Sequence, residues 1–216
     1  MKLQNLHDLY VEELKDIYSA EKQILVALPR LIDGAELPEL KAALEEHRSQ
    51  TEEHVNRLET IFEGLDVSPK GKKCRGMEGL LEEGSELLEE NQDGSIVLDA
   101  GLIGAAQRVE HYEMAAYGTA RAHAHELGLD DDADLLQQTL DEEEAADMRL
   151  TEIAEQAANT RASRGEEVSA GSTAKAGSKS KGGPAGSTAR STAARSESPR
   201  RSNGNRASAP VAAKRK

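Results

Sequence analysis

The chain has 216 residues, a formal net charge of −13 and only five aromatic side chains, four Tyr and one Phe. That charge is the sum of two unlike parts: residues 157–216 carry 13 Lys/Arg against three acids, a net +10, whereas residues 1–156 carry 14 bases against 37 acids, a net −23. The aromatic-free tail cannot bury a core of its own, and no run of about 18 apolar residues exists to cross a membrane, so a second folded domain and a membrane span are both excluded.

The N-terminal MKLQNLHDLYVEELK is charged and amphipathic, unlike a signal peptide. A lone Cys74 rules out an intramolecular disulfide and fits a reducing compartment. The expectation is a cytoplasmic protein with no membrane partner.

From Leu3 to about Ile32, Tyr10, Leu14, Ile17, Glu21, Ile24 and Leu28 recur at steps of four and three, which draws one stripe along a helix. Pro29 and then Asp33-Gly34 are expected to close it. A second stripe after Leu37-Pro38 runs through Leu40, Leu44, His47, Thr51, His54, Leu58 and Ile61, and Gly64 ends that helix. Residues 64–76 read as a loop with a small basic cluster, and Met77 to about Glu90 reads as a short amphipathic helix that Asn91–Gly94 breaks. A third long helix is expected from about Ser95 to Leu127, stopped by Gly128. The fourth begins at Asp130, where Asp130–Asp132 favour the positive end of the helix dipole, and its stripe is Ala133, Leu136, Leu140, Glu143, Asp147, Leu150 and Ala154.

No segment alternates with period two. Four long helices with short 1–2 and 3–4 turns and a crossover of roughly 30 residues predict an all-α, ferritin-like four-helix bundle over residues 1–156, its crossover carrying a short helix. Residues 157–216 are predicted to be a disordered Lys/Arg/Ser/Ala/Gly-rich tail.

Ionisable groups interrupt every apolar stripe: Glu21 on helix 1, His47 and His54 on helix 2, Glu110 on helix 3, Glu143 and Asp147 on helix 4. A carboxylate in an apolar seam costs several kcal/mol unless something pairs with it. At about 1.5 Å per residue, Glu21 lies roughly 20 Å below the first turn, and Gln50 and His54 roughly 20 and 25 Å below it on the returning helix. Measured from the second turn, Glu110 is roughly 27 Å away and Glu143 and Asp147 roughly 20 and 25 Å, so the two hairpins together predict one polar layer.

Carboxylates and imidazoles gathered there repel one another unless cations join them. Oxygen-rich ligation with an imidazole suits iron or manganese, and zinc also fits. Di-iron carboxylate bundles take one Glu from each of two helices and a Glu-x-x-His pair from each of the other two. Glu21 and Glu110 supply the single acids, whereas Gln50-x-x-x-His54 and Glu143-x-x-x-Asp147 are spaced by four, which still keeps each pair on one helical face. Glu113, one turn beyond Glu110, is either a supporting acid or a flank of the seam. His47 reads as a buried structural histidine, His123 and His125 as surface groups, Glu142 and Glu144 as solvated neighbours, and Cys74 as a packed thiol. Tyr18 and Tyr112 read as core-packing residues, the other role open to either being to pass an electron to the layer.

The segments LKDIYSAEKQILVALPRL (14–31), MEGLLEE (77–83), AAQRVEHYEMAAYGT (105–119) and TLDEEEAADMRLTEIA (139–154) resemble the YciE/YciF stress-protein family, a ferritin-like group, over residues 1–156. The resemblance implies a bundle often paired as a homodimer, with a dinuclear iron centre and a ferroxidase-type or stress-protective role. Carried over by motif, the metal positions are Glu21 in AEKQ, Glu110 in VEHYE, Glu143 and Asp147 in EEEAAD, and His54 with Gln50 in QTEEH. Relatives often have Glu at the Gln50 position, so Gln here removes one charge. No catalytic residue is assigned beyond these.

The tail is outside this resemblance. Its composition is like the basic tails of histone-like proteins, which bind polyanions such as DNA through counterion release; the plainer reading is a solubilising segment that folds back on the acidic bundle. The alternative to an iron-handling oxidase is therefore a non-enzymatic stress protein that contacts DNA or another polyanion through residues 157–216.

Overall fold

The structure, a computed structural model, describes residues 3–91 and 93–166. Within them the chain is helical: α1 (Leu6–Gly34), α2 (Pro38–Gly64), α3 (Arg75–Glu90), α4 (Ile96–Glu126), α5 (Asp130–Ile153), a π-helical turn (Ala154–Ala158) and α6 (Asn159–Ser163). No strand occurs among the described residues. The four long helices form the expected ferritin-like bundle, and α3 rides in the crossover between α2 and α4.

Local chemistry sets most boundaries. Asn5 and Ser95 accept hydrogen bonds from Asp8 N and Leu98 N and so cap α1 and α4. Pro38 opens α2 at the first turn, where its missing N–H costs nothing. Buried Asp99 reaches across from α4 and accepts from the Glu36 and Leu37 amides at 2.8 and 2.6 Å, which fixes the α1–α2 turn against the second hairpin. Gly34 allows α3 to come close, since a Cβ there would lie 2.3 Å from Leu88 Cδ2.

Two expectations are corrected. Pro29 lies inside α1 and takes no part in closing it; the helix stops at Gly34, in line with the expected Asp33-Gly34 stop. An interior proline costs about 3 kcal/mol, but Leu28 beside it is 4% exposed, a burial that returns about 1.5–3 kcal/mol, and partly buried Leu31 and Ile32 pack on the same core. Helical structure also passes Gln156, through the π turn into α6, with Ala158 fully buried. The ordered unit therefore extends beyond the boundary placed after Gln156. The rest of the expected tail, residues 167–216, lies outside the described residues.

The apolar interior falls into two clusters. One holds Ile24, Leu28, Leu40, Leu44, Ile103, Val109 and Leu150. The other holds Tyr10, Leu14, Ile17, Leu58, Ile61, Tyr117, Leu136 and Leu140. On each long helix the chain crosses from one cluster to the other through a polar residue: Glu21, then His47 to His54, then Glu110 and Glu113, then Glu143.

Candidate metal centre

Glu21, His47, His54, Glu110, Glu113 and Glu143 are all buried, none more than 6% exposed. Each is placed by the four-and-three rhythm that turns its neighbours into the cores. Two overlapping groups result. His47, Glu110, Glu113 and Glu143 bring ligand atoms within 4.8 Å of one another, and so do Glu21, His54 and Glu143. Glu143 belongs to both.

The contacts inside the layer are close. His54 Nδ1 is 3.1 Å from Glu143 Oε1 and 3.4 Å from Glu21 Oε1, and His47 Nε2 is 3.5 Å from Glu110 Oε1 while its Nδ1 is 3.9 Å from Glu143 Oε2. Tyr117 donates its hydroxyl hydrogen to Glu21 Oε1. His54 Nε2 meets Glu142 Oε2 at 2.9 Å, and Arg57 holds that carboxylate with both guanidinium nitrogens at 2.6 and 2.8 Å. Glu142, read from sequence as a solvated neighbour, thus fixes the outer side of His54 and leaves Nδ1 facing the layer.

Nine buried atoms of these six residues have no hydrogen-bond partner: both nitrogens of His47, Nδ1 of His54, Oε2 of Glu21 and Glu110, and both oxygens of Glu113 and Glu143. Buried polar atoms are satisfied in the great majority of cases, and orphans converging from four helices need a common partner. Among the described residues no Lys or Arg forms an ion pair with the four layer carboxylates. The donor set fits a metal ion, hard in its oxygens with two imidazoles added.

Electrostatics agree. Burial first, then Glu143, drives the Glu110 carboxyl well above its usual range; burial, then Glu21 and Glu143, does the same to Glu113. Burial pulls His47 down. Burial also opposes charge on His54, but Glu143 and Glu21 beside it win and push it up to about 10. A histidine raised from 6.5 to about 10 contributes stability that is complete below the unfolded value and lost as pH rises through the folded one. Metal-free protein is therefore expected to melt at progressively lower temperature between about pH 7 and 10. Thermal melts in chelator check this, and a flat profile over that window would contradict the His54–carboxylate pairing.

The layer gathers Glu21, His54, Glu110, Glu113 and Glu143 from the predicted set, but not Gln50 or Asp147. Gln50 is rotated about 60° off the His47–Thr51–His54 line at 100° per residue and is half-buried along a cleft between α2 and α5. Asp147 shares the phase of Glu143 but sits one turn, about 6 Å, farther along α5. There Gln107 Nε2 donates to it at 3.0 Å, with His111 Nε2 at 3.4 Å. His47, assigned a structural role from sequence, stands inside the layer with both nitrogens free. The signal for it was its place on the same stripe as His54. Tyr117, not Tyr18 or Tyr112, is the tyrosine at the centre: Tyr18 donates to Glu59 and Tyr112 to Asp16. Cys74 is a buried thiol at the N-cap of α3.

Residues 5–163 match the family described as a domain of unknown function, DUF892. The chain belongs to that family. It is 40% identical over 155 residues to protein YciF of Escherichia coli strain K12, spanning 71% of this chain and 93% of that protein. The crystal structure of the E. coli stress protein YciF superposes with a TM-score of 0.69 at 39% identity, covering 73% of this chain and 99% of that one. YcfI from Rhodopseudomonas palustris gives 0.66 at 40% identity over 69% and 95% of the two chains. A Xanthomonas campestris protein, 21% identical with a TM-score of 0.59, shares the fold alone. The YciE/YciF resemblance read from the motifs thus holds for the family. Among the described residues no helix is long and apolar enough to cross a membrane.

Proposed function

We propose that the layer is a dinuclear iron centre and that the protein is an iron-handling stress protein with ferroxidase-type or peroxide-consuming activity. The observation that carries this reading is the sharing of Glu143 between two ligand groups, one adding His47, Glu110 and Glu113 and the other His54 and Glu21. One shared acid with acids and a histidine on either side is the donor pattern of a two-ion site. Manganese and zinc are the competing ions for the same donors.

When bound, the pair supplies one-electron changes at each ion, by which Fe(II) is oxidised by peroxide or dioxygen. The chain's own residues supply the rest. Burial and the neighbouring carboxylates raise the proton affinity of Glu110 and Glu113, so any protons they carry would have to leave when cations bind. Glu142 and Arg57 keep His54 oriented. The two apolar clusters exclude water above and below the layer. Protein purified after growth with iron is expected to carry about two iron per chain; a clean apo protein under those conditions would overturn the reading.

A second role rests on the charge split of the sequence, 13 bases against three acids in residues 157–216. Such a segment attaches the bundle to DNA or another polyanion by counterion release. Full-length protein is expected to be retained on DNA in a salt-sensitive manner that is lost when residues 167–216 are deleted. The bundle should survive that deletion, because relatives of its size are covered over 93% and 99% of their length. Equal retention of both forms across a salt series excludes the role.

A further inference from the structure

Two connected openings lie on the α1–α3 side of the bundle. The outer one is a groove of about 770 Å³ between these helices, with Lys22, Val26 and Arg30 on one rim and Glu82 and Glu86 on the other. Gln23 Nε2 donates to Cys74 O at 3.1 Å and Arg30 donates to Ser85 Oγ at 2.6 Å, so two polar ties hold α3 and the residue before it against α1. The inner opening is a small cavity of about 20 Å³. Ala27, Leu31 and Leu81 line both, so the groove leads into the cavity past these three.

From that throat the cavity reaches the edge of the polar layer. Leu28 on α1, Leu44 on α2 and Ala106 and Val109 on α4 form its walls, all of them buried, and His47 and Glu110 close its inner end. Both ring nitrogens of His47 and Oε2 of Glu110 are covered, and the lining is nearly all carbon. The cleft between α2 and α5 is of another kind, because Glu46, Gln50 and Arg149 line it.

Size and polarity select the guest. A water-sized molecule needs about 10–15 Å³ of such room, so the cavity takes a single guest of about that size. A guest that hydrogen-bonds gives up its partners in bulk water and finds almost none here. Apolar cavities therefore stay dry and accept apolar guests such as xenon. We propose that this passage admits a small apolar gas molecule, of which dioxygen is the biological example, past Ala27, Leu31 and Leu81 to a seat against Leu28, Leu44 and Val109 at the edge of the layer. Hydrogen peroxide, which carries a donor and an acceptor at each end, does not suit such walls.

Delivery of dioxygen to the layer serves the iron reading, but the site is built by apolar residues of the chain alone and is tested on metal-free, full-length protein. Methyl NMR follows titration with dissolved dioxygen, xenon and methanol. Dioxygen is paramagnetic, so it should quicken relaxation of the methyls of Leu28, Leu44 and Val109 more than of Leu14, Leu58 and Leu136, which are equally buried in the other apolar cluster. Xenon should give saturable shifts at the first three, and methanol should bind at least about tenfold more weakly than xenon. Ala106→Val, and separately Ala27→Leu at the half-buried throat, should weaken xenon binding by about tenfold or more with helical content unchanged. The proposal is overturned by equal dioxygen effects in the two clusters, by methanol binding as tight as that of xenon, or by unchanged xenon affinity in both variants. Protein that takes up no iron but passes these titrations would overturn the iron reading alone, and protein that takes up iron but fails them would overturn only the passage.

Discussion

Glu143→Gln is expected to lower the affinity for both metal ions by at least about 100-fold, beyond the 10–100-fold typical of losing an outer hydrogen-bond partner. The reason is geometric: Glu143 is the one residue common to the His47/Glu110/Glu113 group and the Glu21/His54 group. Gln matches the shape of Glu but carries no charge, so neither group retains its shared anion. Glu21→Gln touches only one group and should halve the metal stoichiometry. The two variants together separate a shared dinuclear site from two independent ones. Metal content by mass spectrometry, with far-UV circular dichroism as a check on folding, gives the readout. Full stoichiometry in Glu143→Gln would sink the shared-ligand arrangement.

The second large effect has opposite signs in two states. Glu113 is 1% exposed, both its oxygens lack partners, and burial with three neighbouring carboxylates raises its proton affinity. In metal-free protein it is an unsatisfied polar group, which costs about 1–3 kcal/mol. Glu113→Met removes that cost and keeps the volume, so the metal-free melting temperature should rise by roughly 2–4 °C for each kcal/mol regained. If Glu113 is a ligand of the proposed centre, the order reverses under saturating metal, because the variant then gains less from binding linkage. Differential scanning calorimetry with and without metal tests both arms. A variant less stable than the parent in both states would mean that Glu113 is held by packing and not by its place in a metal site. Stability given up for function is the usual signature of such a site.

Much of this was legible in the residues themselves. The four-and-three spacing of Leu14, Ile17, Ile24 and Leu28, and its counterparts on the other helices, depends only on 3.6 residues per turn. It therefore predicted the helices, their inner faces and the unusual placement of Glu21, Glu110 and Glu143 on those faces. Distance along each helix predicted that Glu21 and His54 would share a level, and they stand 3.4 Å apart. Helix phase and height do not say which neighbour fills the space in front of a side chain. Asp147 has the phase of a ligand but is taken by Gln107 from α4. Glu142 looks like solvent-facing filler until Arg57 and His54 close on it from α2. His47 and Gln50 exchange roles because the rotation of α2 against α4 and α5 turns the first inward and the second toward the cleft.

A helical bundle with acids and histidines at one depth was readable from the residues alone, because periodicity and rise are properties of a single helix. Which of those groups meet, that Glu143 belongs to both candidate ligand sets, that Tyr117 and His47 join them, and that a cleft opens beside them between α2 and α5 follow from how four helices pack, since each depends on atoms far apart in the chain.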